Sequence, residues 1–180
     1  MLAVQSITAQ QADFTLQIGG PTDVDLKVTA FEGTEGISEL YEFQIELCSE
    51  DADIDLDAPM GEPCTLEIVG DSGPRYVNGI VRRFERTGGG SQLTYYAADV
   101  VPVHWLLTKH HQSRVFEPSR CPDMSVPGII RKVFADTGLD EQTYRFALEQ
   151  DYEQREFVVQ CVTRNSRLST SVGCSTRANL

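Results

Sequence analysis

From residue 14 to about residue 98 the chain alternates apolar and polar positions with a period of two. Phe14, Leu16 and Ile18 begin the pattern. Gly19, Gly20, Pro21 and Asp23 then interrupt it, each favouring a non-strand conformation. Leu26, Val28 and Ala30 form the next run. Beyond the stretch FEGTEGISEL, Tyr41, Phe43, Ile45 and Leu47 share one face of another. These two runs read as a pair of strands joined by a loop of several residues. Cys64, Leu66 and Ile68 make a further strand that stops at the turn cluster GDSGP. Val77, Ile80, Val81 and Phe84 alternate imperfectly, and Gly79 among them marks a bulge or a close backbone approach. TGGGSQ then turns the chain into Leu93, Tyr95 and Ala97, a hairpin signature. Six strands separated by short turns predict an antiparallel sheet curled into a barrel or sandwich.

The period changes after Asp99. VPVHWLLTKHHQSRVF, which holds the only tryptophan, Trp105, predicts a short helix or irregular arm leading to a strand at Ser113 to Phe116. Val126, Ile129, Ile130, Val133 and Phe134 then recur at helical spacing and form one apolar stripe. Ser125 suits the N-cap, Pro127 the first turn, and Gly138 the position past the C-terminus where left-handed backbone is needed. Such a helix buries a single face, so it is expected to pack on the sheet. Tyr144, Phe146 and Leu148 alternate again, and after an acidic turn a new strand or helix begins at Phe157. Residues 161–180 break with everything before them. They carry Arg164, Arg167 and Arg177, no acid and no periodicity, and read as disordered or foreign to the fold. The expected organisation is an N-terminal arm over 1–12, a β-barrel over 13–100, a helix-containing part over 101–160 and an unrelated tail over 161–180. The fold class is mainly β with one packed helix.

The 180 residues, 41% hydrophobic, suffice for a buried core without a disulfide or metal staple. The net charge of -12 argues against nucleic acid as a partner. Five widely spaced cysteines without a CxxC argue against a disulfide framework and a zinc site, and point to synthesis in a reducing compartment. No signal-peptide pattern opens the chain and no run approaches the ~20 apolar residues of a membrane span, so stable membrane anchoring is not expected.

Candidate chemistry is sparse. Asp51, Asp53, Asp55 and Asp57 alternate as calcium ligands do, but the sixth loop position holds Leu56 rather than the glycine of an EF-hand, and the stretch reads as a solvated connection. His104, His110 and His111 form no ligand spacing. TGGGS lacks the ending of a phosphate loop and lies between strands. No GxSxG or HExxH occurs, so no catalytic, cofactor or metal residue is assigned, and the chain reads as a non-enzyme.

Four stretches in order, FEGTEGISELYEFQIEL, NGIVRRFE, YYAADVVPVHWLL and SVPGIIRKVFADTGL, resemble the N-terminal part of VgrG, the valine-glycine repeat spike protein of type VI secretion systems. The matching residues are Phe31, Glu32, Gly33, Gly36, Ile37, Ser38, Leu40, Tyr41 and Phe43, then Ser125, Val126, Pro127, Ile129 and Ile130. The resemblance implies a β-barrel like those of phage tail hubs, assembled as a homotrimeric ring on an Hcp-like tube beside baseplate proteins and narrowing into a needle that carries effectors. It implies a protein made in the cytoplasm and exported without a signal peptide. It also implies that the glycine-acid stretch is architectural, with Gly33 and Gly36 allowing tight backbone turns and Tyr41 and Phe43 anchoring the returning strand in the core. A contractile phage or phage-like baseplate hub is the alternative, and a cell-wall hydrolase a weaker one. After REFVVQ the family continues differently, whereas Cys161 starts an unrelated tail. A frameshifted or prematurely stopped spike gene is the simplest expectation, with a deliberate short form as its rival; either would leave β edges uncovered.

Overall fold

A computed structural model describes residues 13–19, 25–37, 39–110 and 112–160. The expectations for the N-terminal arm, the 161–180 tail, Ser38 and His111 lie outside the described residues. The chain divides into two compact units, Met1–Pro102 and Val103–Leu180.

The first unit is a six-stranded antiparallel sheet of β1 (Asp13–Ile18), β2 (Lys27–Thr34), β3 (Glu42–Ser49), β4 (Pro63–Gly70), β5 (Gly73–Gly89) and β6 (Thr94–Val101), in the order β1-β4-β5-β6-β3-β2. Every run that the period of two marks is a strand. Although β1 and β2 stand at opposite ends of that order, Phe14 and Phe31 meet edge to face with ring centroids 5.0 Å apart. The sheet therefore curls on itself, and side chains rather than a ladder join its edges. Leu16, Phe43, Ile45, Leu47, Leu66 and Val81 lie at the centre of the core this encloses.

Two strands present a different face from the one the pattern suggests. In β2 a register shift between Val28 and Ala30 leaves Ala30 exposed and brings Phe31 against the core instead. A bulge moves the alternation by one residue. Along β6 Thr94, Tyr96, Ala98 and Val100 form the buried alternation, with Asp99 and Val101 buried as well, whereas Tyr95 and, just before the strand, Leu93 are exposed. Both faces of LTYYAADV are apolar enough to go inward, and the choice falls to Tyr96, whose ring stacks on Phe84 at 5.6 Å while its hydroxyl donates to the Asp51 carbonyl at 2.9 Å. Along β5 the shifts fall between Val81 and Arg83 and between Arg86 and Gly88, which accounts for the imperfect alternation. Gly79 is a close approach: a side chain there would run into the Val101 carbonyl.

The acidic connection between β3 and β4 is irregular but fastened. Ile54 enters the core, and Asp51 and Asp55 use their carboxylates to accept from the amides of Asp53 and Asp57 at 2.9 and 3.0 Å.

The second unit holds a 3-10 turn over Val103–Lys109, β7 (Arg114–Phe116), α1 (Val126–Asp136) and β8 (Val158–Gln160), with β7 and β8 antiparallel. Ser125 caps α1 by accepting from the Gly128 amide at 3.2 Å, and Gly138 takes φ 76° just past its end. Within its own unit the helix stripe is covered on two sides. Ile129 and Val133 cluster with Phe116, Cys121, Met124 and Val158. Phe134 packs against Tyr144 at 4.7 Å and Phe146 at 6.3 Å. The alternation at residues 144–148 is thus real, but it serves a stretch with no strand partner.

Candidate functional site

The stretch that connects β2 to β3 carries most of the motif residues, and its geometry follows from a few side chains. Phe31, Glu32 and Gly33 are not a turn; they are the last part of β2, with Gly33 directly opposite Phe43 of β3. Gly33 has ordinary backbone, since among the described glycines positive φ occurs at Gly61, Gly73 and Gly138. Its lack of a side chain does something else: a methyl group there would overlap the Phe43 ring, which lies across the glycine. An aromatic ring covering a cross-strand glycine shields both backbones and fixes the register. Phe43 is buried, with Phe31 at 6.2 Å and Tyr41 at 5.9 Å, so an aromatic series from Phe14 through Phe31 and Phe43 to Tyr41 spans the place where the sheet edges meet.

Glu35 and Tyr41, near the two ends of the connection from β2 to β3, are each tied to β5. Glu35 is ion-paired with Arg75. The Tyr41 hydroxyl donates to the Asn78 carbonyl, and burial pushes its phenol up to about 12. Gly36 also lacks positive φ; its carbonyl accepts from the Glu39 amide at 3.3 Å. Gly33 thus lies in a strand and Gly36 opens a turn closed by that bond without left-handed backbone, and at each glycine the missing side chain leaves space for a neighbour, Phe43 and Glu39 respectively. Leu40 is half-buried, Glu32 is exposed, and Ile37 stands 98% exposed.

A second constellation went unread in the sequence. At the β5 register shift Arg82 makes a bidentate pair with Glu42, at 2.9 and 2.5 Å, and a further bond to Asp99 at 2.7 Å. Arg83 lies 3.8 Å from the same Asp99 carboxylate, whose side chain is 8% exposed. The Arg82 hydrogen bonds hold the Glu42 carboxyl below its ordinary range against a smaller opposing effect of burial. This network ties β3, β5 and β6 together at one level. The one available signal was Asp99 itself, a lone acid in the apolar run YYAADVV.

The second motif cluster sits on α1 in the other unit: Ser125 as cap, Pro127 and Ile129 buried, Val126 and Ile130 half-buried. Among the described residues no group of three His, Cys, Asp or Glu side chains could hold a metal ion. Cys48, Cys64 and Cys121 are buried free thiols, and burial pushes the Cys64 thiol up to about 12. His104 is half-buried with its ring 5.7 Å from Phe134.

A rolled antiparallel sheet sealed by aromatic side chains, followed by a short ladder with one helix, is the fold of a tail-hub protein. It is shared with a type VI secretion system component of E. coli, c3393, at TM-score 0.69 and 21% identity over 88% of this chain and 41% of that one. That protein is described as structurally similar to the T4 bacteriophage tail proteins gp27 and gp5. The sequence model of the phage tail baseplate hub (GPD) matches residues 34–163, and the chain belongs to this family. Among curated relatives, it is 34% identical over 152 residues to the Pseudomonas aeruginosa type VI spike protein VgrG4b, 84% of this chain and 18% of that protein. With VgrG1c of the same organism it shares 34% over 137 residues, 75% and 18% of the two chains. Vibrio cholerae VgrG3 is 30% identical over 157 residues, 82% and 15%. The chain thus spans less than a fifth of the length of these relatives. Among the described residues no helix is long and apolar enough to cross a membrane.

Proposed function

We propose that this chain is the hub-barrel portion of a type VI secretion spike, a structural rather than catalytic part. In this reading it assembles as a homotrimeric ring, seats on an Hcp-like tube beside baseplate proteins, and leaves the cell with the apparatus. The observation that carries it is the match to type VI spike proteins across most of the chain, on a barrel in which the motif residues Phe31, Gly33, Tyr41 and Phe43 serve packing. Residues 13–160 form the hub-like portion. Phe31, Gly33, Tyr41 and Phe43 seal the barrel, and Ser125, Val126, Pro127, Ile129 and Ile130 begin and seat the helix. The mechanism is mechanical: a tip moved by a contracting sheath must keep its register, and buried aromatic contacts with cross-strand ion pairs resist shear between strands.

Light scattering over a concentration range on the full chain, alone and with the tube protein encoded alongside it, tests this reading. A discrete trimer that forms a defined complex with tube rings supports it, and a monomer that ignores them overturns it. The family description itself favours a second reading, a contractile phage baseplate hub. Neighbouring genes for a type VI membrane complex, or for phage head and packaging proteins, separate the two.

A further inference from the structure

Tyr95 lies on the outer face of the six-stranded sheet and is 47% exposed. The ladder register places its neighbours. Cys48 of β3 and Gly88 of β5 stand directly across from it, and a side chain added at Gly88 would meet nothing within 4 Å. The ring therefore borders open space on the β5 side. Two residues further along β6, on the same face, Ala97 lies between Glu46 of β3 and Glu85 of β5. Neighbouring strands run about 4.8 Å apart, so the two glutamates rise about 10 Å from each other across a residue that carries only a methyl group. The result is a shallow trough, floored by Ala97, walled by two carboxylates and closed at one end by an exposed aromatic ring. At the other end Asp99 is already taken up by Arg82 and Arg83.

The charges on these walls narrow the occupant. Glu46 is exposed and, among the described residues, has no ion-pair partner. Glu85 pairs with Arg83, but those side chains are 41% and 55% exposed, and an ion pair so open to water is weak enough to be exchanged. An ammonium or guanidinium entering the trough would lie between both carboxylates with its stem along Tyr95, which adds cation–π attraction to ion pairing. An exposed tyrosine brings a large contact area at small cost in conformational freedom, as interface anchors do. Most lysines and arginines among the described residues are already ion-paired within their own chain, so a second copy has few free cations to place here.

We propose that the outer face of β3, β6 and β5 around Tyr95 is a docking surface for a protein other than this chain, which lays an arginine or lysine across Ala97 between Glu46 and Glu85. The proposal rests on the hub reading only for the expectation that such a neighbour exists, and it assigns the surface that joins copies of the chain elsewhere.

The test has two parts. In the first, melting temperatures of full-length Ala97→Arg and Ala97→Gln are compared. The arginine variant should melt higher, because only a cation finds both carboxylates, and the reverse order would overturn the proposal. In the second, Tyr95 is replaced by the photocrosslinker p-benzoylphenylalanine in the full chain, expressed in the cells that carry its gene, with the same replacement at exposed Tyr76 as the control. The expected result is a Tyr95-specific adduct to another protein at a peptide containing Lys or Arg. Glu46→Gln should lower its yield about two- to fivefold, and Ala97→Arg, which fills the trough with the chain's own cation, should abolish it. An adduct within the chain or to a second copy, an adduct indifferent to both substitutions, or a yield no higher than at Tyr76 would each overturn the proposal. A monomer in light scattering would overturn the hub reading, while the order of the two Ala97 variants and the fate of the adduct would still decide this one.

Discussion

At the scale of single residues, two glycines in one motif differ in what they tolerate. Gly33→Ala should cost about 1–3 kcal/mol, because the added methyl meets the buried Phe43 ring and neither backbone can withdraw. Gly36→Ala should cost less than about 1 kcal/mol, since only the mobile end of Glu39 has to move. Urea unfolding of the two variants checks the order, and Phe43→Leu added to Gly33→Ala should show a favourable coupling. Tyr41 gives a pH signature. Its phenol is raised to about 12, so the folded state favours the neutral form. The stability this contributes is complete below the ordinary phenol range near pH 10 and is lost as pH rises through about 12. Absorbance titration at alkaline pH should lose one late-titrating tyrosine in Tyr41→Phe, while Tyr76, raised by its hydrogen bond to Glu67, keeps its own late titration.

At the scale of elements, the Arg82 network and the α1 cap are the contacts whose loss should loosen one strand or one helix. Asp99→Ala should destabilise the sheet by about 2 kcal/mol, because Arg82 loses a charged hydrogen bond at a largely buried position. Glu42 sits below its ordinary carboxyl range, so its contribution is present at neutral pH and is lost as pH falls through its folded value. Glu42→Gln should flatten that acid limb in a series of melts. Ser125→Ala should cost about 1 kcal/mol and fray the first turn of α1, seen as faster amide exchange there. Element positions were legible because period two and period 3.6 leave different marks, and the caps of α1 are side chains that announce themselves. Strand faces were less so. Nothing in LTYYAADV says which tyrosine goes inward until Phe84 and Asp51 are in place, and the bulge after Val28 is an event of the backbone rather than of composition.

For the whole molecule, the same distinction decides what the sequence could show. A resemblance in four stretches was enough for the fold and family, because it samples the barrel and the helix in order. The Glu42–Arg82–Asp99 network and the exposure of Ile37 depend on residues that only the closed sheet brings together or leaves apart. The second unit carries a pH dependence of its own. Burial lowers His104 below its ordinary value, so the unfolded chain binds the proton first, and stability falls as pH drops through about 6.5 toward the folded value. Melts at pH 7.5 and 5 should show this loss, and His104→Gln should reduce it. The long strand β5 has a consequence for how the barrel forms in time. Its first half pairs with β4 and its second half with β6, each through a short turn, so the three make a continuous meander of neighbours. Of the remaining ladders of this sheet, β2 and β3 pair locally from Thr34 to Glu42, whereas Phe43 must reach Val100 and Asp13 must reach Val69. Loop closure favours the nearby pairings, so the rate-limiting ensemble should contain the meander while β1 and the β2–β3 pair remain undocked from it. Substitutions such as Val77→Ala would then slow folding, whereas Leu16→Ala would mainly speed unfolding.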